Sequence, residues 1–245
     1  MDENKNIIET FTEMAPRYEE VVNSELNRFW GWSYSGFVNH FIQMTPVIKT
    51  AKILDIATGT GIIPIKLVDE GLALGRVYGL DITLSMLLRA KKKASKNHVS
   101  EKIDFVCASA MGMPYVGGFF DLATCALATH HMDVRILLSE CHRILREGGM
   151  LAIADVGGSR FWKWPGVKFL LRIAAFVYFL IAENPSRAWA EAIAVSNVRS
   201  REDWFDLLSS MDYEHIKITK LKSKHYWIPE PLVIQAFKPL VGEKI

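Results

Sequence analysis

One stretch restricts the fold of this chain more than any other: an apolar run that passes directly into a glycine-rich turn. Residues 52–57 are mostly aliphatic, and residues 58–61 read Thr-Gly-Thr-Gly. Short apolar runs are typical of buried parallel strands, and glycine lets the backbone turn tightly against a ligand. Residues 62–68 then have helical spacing, with Pro64 in the first turn, where its missing N–H is tolerated. A strand, a glycine turn and a helix in this order open a Rossmann-like sheet.

The pattern continues along the chain as alternating strands and helices. We predict strands at 52–57, 76–81, 102–107, 119–126 and 149–155, and helices at 62–71, 83–96 and 133–146. This alternation favours parallel strands joined by right-handed crossovers. Two further strands, at about 214–221 and 231–238, are predicted to close the chain as an antiparallel hairpin. The predicted fold is therefore an α/β, Rossmann-like, seven-stranded, doubly wound sheet that is mostly parallel.

Length and composition favour a single domain with additions to this sheet. The chain has 245 residues, and 50% of them are hydrophobic, which is enough for one large core. We divide residues 1–245 into a helical cap (1–50, with a stop near Pro16), a cofactor-binding core (51–156), a helical lid insertion (157–200) and a C-terminal helix with the hairpin (201–245). Ser200 and Asp203 have the spacing of a helix capping box.

Charge and cysteine content exclude several other classes of protein. A formal net charge of +2 gives no argument for nucleic-acid binding. The three cysteines have no paired spacing, so we expect neither a disulfide framework nor a metal site. The first residues are polar and lack the apolar core of a signal peptide. These features predict a cytoplasmic protein.

An acidic residue and a proline narrow the class of cofactor. Asp81 ends the second predicted strand, 20 positions after Gly61, where a carboxylate can accept hydrogen bonds from both ribose hydroxyls of an adenosine cofactor. A dinucleotide fingerprint requires a third glycine at the position that Pro64 occupies. This disfavours a pyrophosphate and favours a cofactor with an amino-acid arm, whose ammonium group would suit Asp55.

Four segments taken together resemble a known family. Residues 53–61, 79–87, 120–131 and 140–151 are similar, in order, to the successive motifs of class I S-adenosylmethionine (SAM)-dependent methyltransferases. Residues 11–18 and 198–204 resemble the branch of that family that methylates ubiquinone and menaquinone precursors. After the fourth strand, residues 127–132 differ from the Leu-Arg-Asn type of sequence usual in that branch and resemble general small-molecule methyltransferases.

The resemblance implies a SAM site with assigned residues. Gly59 and Gly61 would pass under the methionine part and Asp81 would hold the ribose. Ile82 and Met86 would pack against the adenine. The full set of implied cofactor residues is Tyr18, Asp55, Ala57, Thr58, Gly59, Thr60, Gly61, Asp81, Ile82, Met86, Ser109, Ala110 and Leu127. Within this set, Ser109 and Ala110 fall where the family commonly has an acidic residue for the adenine amino group.

Two histidines and one tyrosine have roles that the sequence leaves open. His130 and His131 follow the fourth predicted strand, at the edge of the sheet where ligands bind, and either has the chemistry of a base near neutral pH. The alternative is that one of them packs or caps the next helix. Tyr18 either closes over the cofactor or belongs to the core of the cap.

The insertion contains the most apolar helix of the chain, predicted at 167–182. With Lys168 and Arg172 near its start, it is shorter than the roughly 20 apolar residues that span a bilayer. Residues 160–182 fit either an interfacial helix in peripheral contact with a membrane or a lid or homodimer helix buried against protein. We favour the second. Both interpretations predict an apolar wall beside the substrate.

Our leading hypothesis is a SAM-dependent methyltransferase that acts on a hydrophobic small molecule, quinone-like or lipid-like, at carbon or oxygen. One alternative is an NAD(P)-dependent reductase with a Rossmann fold. The other is a non-catalytic protein that retains the fold and binds a membrane or a partner.

Overall fold

The computed structural model describes residues 3–225 and 228–240. Residues 1–2 of the predicted cap and 241–245 of the predicted C-terminal region lie outside the described residues. Seven strands form one sheet: β1 (Ile53–Ile56), β2 (Val77–Asp81), β3 (Ile103–Cys107), β4 (Phe120–Ala126), β5 (Leu145–Asp155), β6 (Glu214–Lys220) and β7 (Leu232–Phe237). Their order is β3-β2-β1-β4-β5-β7-β6.

The pairing of the strands confirms the predicted doubly wound sheet. The pairs β1–β2, β1–β4, β2–β3 and β4–β5 are parallel, whereas β7 is antiparallel to both β5 and β6. The strand order reverses between β1 and β4, and in such sheets ligands bind at this switch point, beyond the carboxyl ends of the strands. The fold therefore places any ligand near the turn that follows β1.

Nine helices are described around the sheet: α1 (Glu3–Met14), α2 (Tyr18–Trp30), α3 (Tyr34–Met44), α4 (Ile62–Asp69), α5 (Leu84–Lys96), α6 (Val134–Ile144), α7 (Pro165–Ala182), α8 (Pro185–Ala194) and α9 (Arg201–Ser209). Helix α6 ends two residues before its predicted end because β5 already begins at Leu145. At α9 the predicted capping box is present, with Ser200 and Asp203 exchanging side-chain-to-backbone hydrogen bonds.

Apolar side chains fill both faces of the sheet. Consecutive residues of β1 alternate between the two cores: Ile53 belongs to the one that contains Phe37 of α3, and Leu54 to the one that contains Leu137 of α6. All four residues of β1 are buried. A strand covered on both faces needs a mostly apolar run such as the one on which the sequence prediction rested, in which Asp55 is the one charged residue of β1.

Helices α1 and α2 of the predicted cap, and α7 and α8 of the predicted insertion, lie at the carboxyl edge of the sheet. Helix α3 of the predicted cap instead packs on one face of the sheet. Helix α7 begins at Pro165, two residues before its predicted start, and none of its 18 residues is buried. Within the described chain, one face of this helix lines a cavity and the other is open to solvent. Among the described residues it is the one helix long and apolar enough to cross a membrane, with a mean hydropathy of 1.7.

Candidate functional site

A narrow cleft lies beyond the carboxyl ends of β1, β2 and β4 and has a volume of about 80 Å³. Nine of the predicted cofactor residues line it: Tyr18, Ala57, Gly59, Asp81, Ile82, Met86, Ser109, Ala110 and Leu127. Ile7 and Phe11 of α1 also line the cleft, so the first helix of the cap helps to keep it narrow. The structure therefore brings together, at one edge of the sheet, residues that are far apart in the sequence.

Asp81 is held in place by two backbone amides. The N–H groups of Gly59 and Thr83 each donate to one of its carboxylate oxygens, both at 2.8 Å. Burial raises the pKa of Asp81, and these two donors act against that shift. A carboxylate oxygen can accept two hydrogen bonds, so Asp81 retains acceptor capacity for ligand hydroxyls. The geometry suits the ribose contact that the resemblance implies.

Asp55 lies behind the cleft instead of lining it. Its oxygens accept hydrogen bonds from the hydroxyls of Thr58, at 2.6 Å, and Thr124, at 2.7 Å. Burial raises the pKa of Asp55 to about 7. The carboxyl group thus fixes the glycine turn through Thr58 and ties it to β4. Neither Asp55 nor Thr58 lines the cleft in this structure.

Thr60 and Gly61 also shape the turn without lining the cleft. The Thr60 hydroxyl donates to Glu19 of α2 at 2.5 Å, which links the turn to the cap. Gly61 has a φ angle of +77°, and a Cβ atom added there would lie 3.0 Å from Cβ of Ala90 in α5. The glycine is required both for its left-handed backbone and for the close approach of two helices.

Two residues that are not glycine adopt left-handed backbone angles in the cleft. Ala57 has a φ of 52° just after β1, and Leu127 has a φ of 54° just after β4. Such angles are uncommon outside glycine, and strained backbone concentrates at functional sites. The sequence gives no signal for them, because alanine and leucine are ordinary residues at the end of a strand.

A second cavity, which we call the apolar chamber, adjoins the cleft and has a volume of about 520 Å³. It lies among α2, α7 and α8, with the turns after β4 and β5 on its other side. Its apolar walls include Val22, Leu26, Phe29, Trp30, Leu171, Ala174, Ala175, Tyr178 and Phe179. One face of α7 thus forms part of an apolar wall, of the kind that the sequence predicted beside a substrate.

The cleft and the chamber meet at four shared residues, Phe11, Tyr18, Leu127 and His131. Tyr18 lies over the glycine turn, and a Cβ atom added at Gly59 would be 3.7 Å from its ring. Burial raises the pKa of Tyr18 to about 12, so the phenol stays neutral. Tyr18 also packs edge to face with Phe11 and Tyr34. It thus packs within the cap and lies where it would close over a ligand on the glycine turn.

The two histidines at this junction have opposite electrostatic environments. Burial acts to lower the pKa of His130, but the carboxylate of Asp155, 2.7 Å from Nδ1, raises it overall. Burial and the neighbouring His130 lower the pKa of His131. The ring centroids are 4.3 Å apart. The pair is therefore arranged so that His130 carries a proton more readily and His131 remains neutral.

A buried arginine lies beside the histidines, at the same end of the chamber. Arg187 of α8 is only 6% exposed. One of its terminal nitrogens lies 2.9 Å from Glu191 and 3.4 Å from Glu25. Burial raises the pKa of Glu25 to about 7. For Glu191, burial acts in the same direction, but the guanidinium of Arg187 lowers its pKa overall.

Sequence reasoning missed this cluster almost entirely. Glu25, Arg187 and Glu191 lie on helices, where isolated charges usually belong to a solvated face. The spacing of Arg187 and Glu191, four residues apart in an alanine-rich segment, was the available signal. Asp155 ends β5 at the carboxyl edge of the sheet, in the position that made Asp81 a candidate on β2.

The same cluster has the composition of a metal site. His130, His131 and Glu191 each offer one ligand atom, and these atoms lie within 4.8 Å of one another. The guanidinium of Arg187 is already in contact with Glu191, however, and supplies the compensating positive charge. We therefore assign the role of the buried cation to Arg187.

Comparison with known proteins agrees with this architecture. A family model described as a methyltransferase domain matches residues 54–153, which run from β1 to β5. A demethylmenaquinone methyltransferase of Porphyromonas gingivalis is 24% identical over 216 residues, which cover 86% of this chain and 85% of that protein. These findings support a class I SAM-dependent methyltransferase. They favour it over the reductase alternative.

Two further relatives extend the comparison. The ubiquinone/menaquinone biosynthesis C-methyltransferase UbiE of Agrobacterium fabrum is 29% identical over 162 residues, 63% of this chain. The chain spans 61% of the length of that relative. A crystal structure of geranyl diphosphate C-methyltransferase from Streptomyces coelicolor A3(2), with Mg²⁺, geranyl diphosphate and S-adenosyl-L-homocysteine, is 14% identical, with a TM-score of 0.64 and coverage of 90% of this chain and 84% of that one. That likeness is one of fold.

Proposed function

We propose that the protein transfers a methyl group from SAM to a carbon or oxygen atom of a hydrophobic small molecule, quinone-like or lipid-like, held in the apolar chamber. The observation that carries this proposal is the junction, where Phe11, Tyr18, Leu127 and His131 belong to both cavities. A donor in the cleft and an acceptor in the chamber meet there. Holding two reactants in line accounts for much of the acceleration of a displacement reaction.

The residues of the cleft fit the cofactor. Asp81 has acceptor positions left for the ribose hydroxyls after binding two backbone amides. Ile82 and Met86 supply apolar contacts for the adenine, and Ser109 supplies a hydroxyl at its edge. The resemblance assigns the amino-acid arm to the glycine turn, where Gly59 lines the cleft. When bound, SAM supplies a methyl group already activated by its sulfonium, so the protein must position more than it must activate.

The chamber fits a mainly apolar acceptor with a polar end. Its walls are aliphatic and aromatic, while its polar groups gather near the junction: His130, His131, Glu25, Arg187 and Glu191. An aromatic ring with an attached hydroxyl or carbonyl would place its polar edge there and its apolar part under α7. The relatives named for quinone biosynthesis act on molecules of this general class, which supports the choice.

We assign the role of general base to His131 for acceptors that must lose a proton. It borders both cavities, and burial keeps its imidazole in the neutral, proton-accepting form. His130, held by Asp155, positions its neighbour and supplies positive charge near a developing oxyanion. Base catalysis of this kind contributes about 10²- to 10⁴-fold to a rate.

The proposal is tested by following a tritiated methyl group from SAM into the organic phase. Acceptors would be hydroxylated naphthoquinols with short and long apolar tails, and a small charged catechol as a contrast. Ala175→Trp fills the chamber from α7, whereas Ala182→Trp changes an exposed residue of the same helix. We expect wild type to transfer the tritiated methyl group to the apolar acceptors. Ala175→Trp should abolish this transfer, and Ala182→Trp should leave it unchanged.

Two results would oppose the proposal. Transfer to the charged catechol alone, unaffected by Ala175→Trp, would contradict the assignment of the chamber. Binding of S-adenosylhomocysteine with no transfer to any acceptor, including those in a total lipid extract, would support the non-catalytic alternative.

A further inference from the structure

The outward face of α7 is a continuous apolar surface that nothing in the described chain covers. Leu171, Ala175 and Tyr178 point to the chamber, and the opposite side of the helix is open to solvent. Leu170 is 65% exposed and Ile181 is 81% exposed. The exposed apolar residues on this side, which we call the outer stripe, are Phe169, Leu170, Ile173, Val177, Leu180 and Ile181. Their spacing follows one face of a helix.

Aromatic residues extend the outer stripe at the start of the helix. Phe161 and Trp164, just before α7, are both about two-thirds exposed. Soluble monomers rarely expose apolar patches of this extent unless the patch contacts a partner or a membrane. Aromatic side chains at the end of an apolar helix are typical of the boundary between headgroups and acyl chains.

We propose that the outer stripe docks onto an anionic lipid surface, with α7 lying in the plane of the membrane. Charge supports this occupant. Residues 160–182 contain four cationic residues, Arg160, Lys163, Lys168 and Arg172, and no aspartate or glutamate. Basic residues next to an apolar segment are attracted to an anionic lipid surface. The net positive charge of this segment therefore favours an anionic surface over a neutral one.

The geometry favours lying on the membrane over crossing it. A helix of 18 residues is about 27 Å long, slightly less than the roughly 30 Å hydrocarbon core. Its inner face is tied to the rest of the protein, because Arg28 of α2 donates to the Tyr178 hydroxyl at 2.7 Å and Phe176 packs on Trp189 of α8. Only the outer stripe is free to enter lipid.

The same charges argue against a second copy of the chain as the occupant. A symmetric dimer through the outer stripe would place residues 160–182 of both copies against each other. The two segments would carry eight cationic residues between them, and neither segment contains a carboxylate to compensate them. Like charges at such an interface oppose association.

Docking would also place the chamber at the membrane surface. Because the inner face of α7 lines the chamber, an apolar acceptor dissolved in the bilayer would have a short path into it. This consequence rests on the proposed function, whereas the docking itself does not.

Vesicle flotation tests the docking directly. The protein would be floated with vesicles of phosphatidylcholine alone and of phosphatidylcholine with about a third phosphatidylglycerol. The double variant Leu170→Glu/Val177→Glu changes the outer stripe. Leu88→Glu/Val116→Glu is its matched control, since both of those residues are exposed and lie outside the insertion. Circular dichroism melts would verify that both variants fold.

We expect binding to the anionic vesicles, weakened at least tenfold by the first double variant and unchanged by the control. Arg172→Gln should weaken anionic binding more than Arg89→Gln, a change on α5. Lack of binding to either vesicle would overturn the proposal, as would equal binding by both double variants. Equal binding to the two vesicle types would overturn the anionic preference. Sedimentation showing a dimer that Leu170→Glu/Val177→Glu dissociates, without vesicle binding, would identify a second copy as the occupant.

Discussion

The Nδ1 atom of His130 lies 2.7 Å from Oδ1 of Asp155, a carboxylate at the end of β5 that is itself buried. The Thr129 hydroxyl and the Val156 N–H also donate to that carboxylate. This network fixes the ring of His130 and concentrates a proton on it. The adjacent His131 is thereby left neutral at the junction of the two cavities, where methyl transfer is proposed to take place.

His131→Gln should lower kcat by about 10²- to 10⁴-fold for an acceptor that loses a proton, because the base is removed. The affinity for S-adenosylhomocysteine should change little, and His98→Gln, on the surface after α5, should have no effect. Since burial lowers the pKa of His131, wild-type activity should fall only as the pH drops below the usual imidazole value of about 6.5. A rate that first rises above pH 7.5 would contradict this assignment.

Glu25→Gln should change how stability depends on pH. The pKa of Glu25 is raised from 4.5 to about 7 in the folded protein, so the folded state holds a proton that the unfolded chain has lost. Stability from this group is therefore greatest below pH 4.5 and declines as the pH rises toward 7. Between pH 5 and 8, the melting temperature should fall less steeply with rising pH for Glu25→Gln than for wild type or for Glu20→Gln, which changes an exposed residue. Parallel curves for all three proteins would refute the prediction.

Arg187→Met should destabilise the fold by about 3–5 kcal/mol, because it leaves buried carboxylates without their cation. The double variant Arg187→Met/Glu191→Gln should regain part of that loss. Urea unfolding of the two single variants and the double variant gives the coupling energy. An additive result, with no recovery in the double variant, would show that the ion pair does not balance the buried charge.

Gly61→Ala should destabilise the protein more than Gly71→Ala. Both glycines have positive φ angles, of +77° and +66°. An alanine at either position would destabilise the fold by about 1–2 kcal/mol, because a residue with a Cβ disfavours this left-handed backbone. An added Cβ at Gly61 also meets Ala90 at 3.0 Å and Phe105 at 3.2 Å, whereas nothing lies within 4 Å at Gly71. Urea unfolding compares the two variants. Equal losses of unfolding free energy in the two variants would mean that α5 can shift away from the added Cβ without destabilising the protein.

The sheet and half of the site were predictable because their signals are local. The apolar run of β1, the turn at Gly59 and Gly61, and the acidic end of β2 each depend on a few neighbouring residues, and the structure has all of them in the expected places. The resemblance to a methyltransferase rested on the same segments. Local patterns are sufficient wherever backbone geometry alone dictates the residue type.

The other features of the site depend on contacts between distant parts of the chain, which no local sequence pattern indicates. Ala57 and Leu127 adopt left-handed angles although neither is a glycine. Glu25 and Arg187 are 162 positions apart and meet only because α8 folds against the cap. Asp55, assigned to the cofactor ammonium, is engaged by two threonines, one of them on β4. Such long-range pairings exist only once the chain is folded.

Calorimetric titration with S-adenosylhomocysteine tests the account most directly. Wild type should bind saturably at one site per chain. Asp81→Asn should bind roughly 10- to 100-fold more weakly, since it loses a charged acceptor of the ribose hydroxyls. Asp104→Asn is the matched control: it lies on β3, where Asp104 pairs with Arg76 at the surface, and it should bind like wild type. Equal affinity of Asp81→Asn and wild type, or no binding by wild type, would contradict the SAM site on which the proposed function depends.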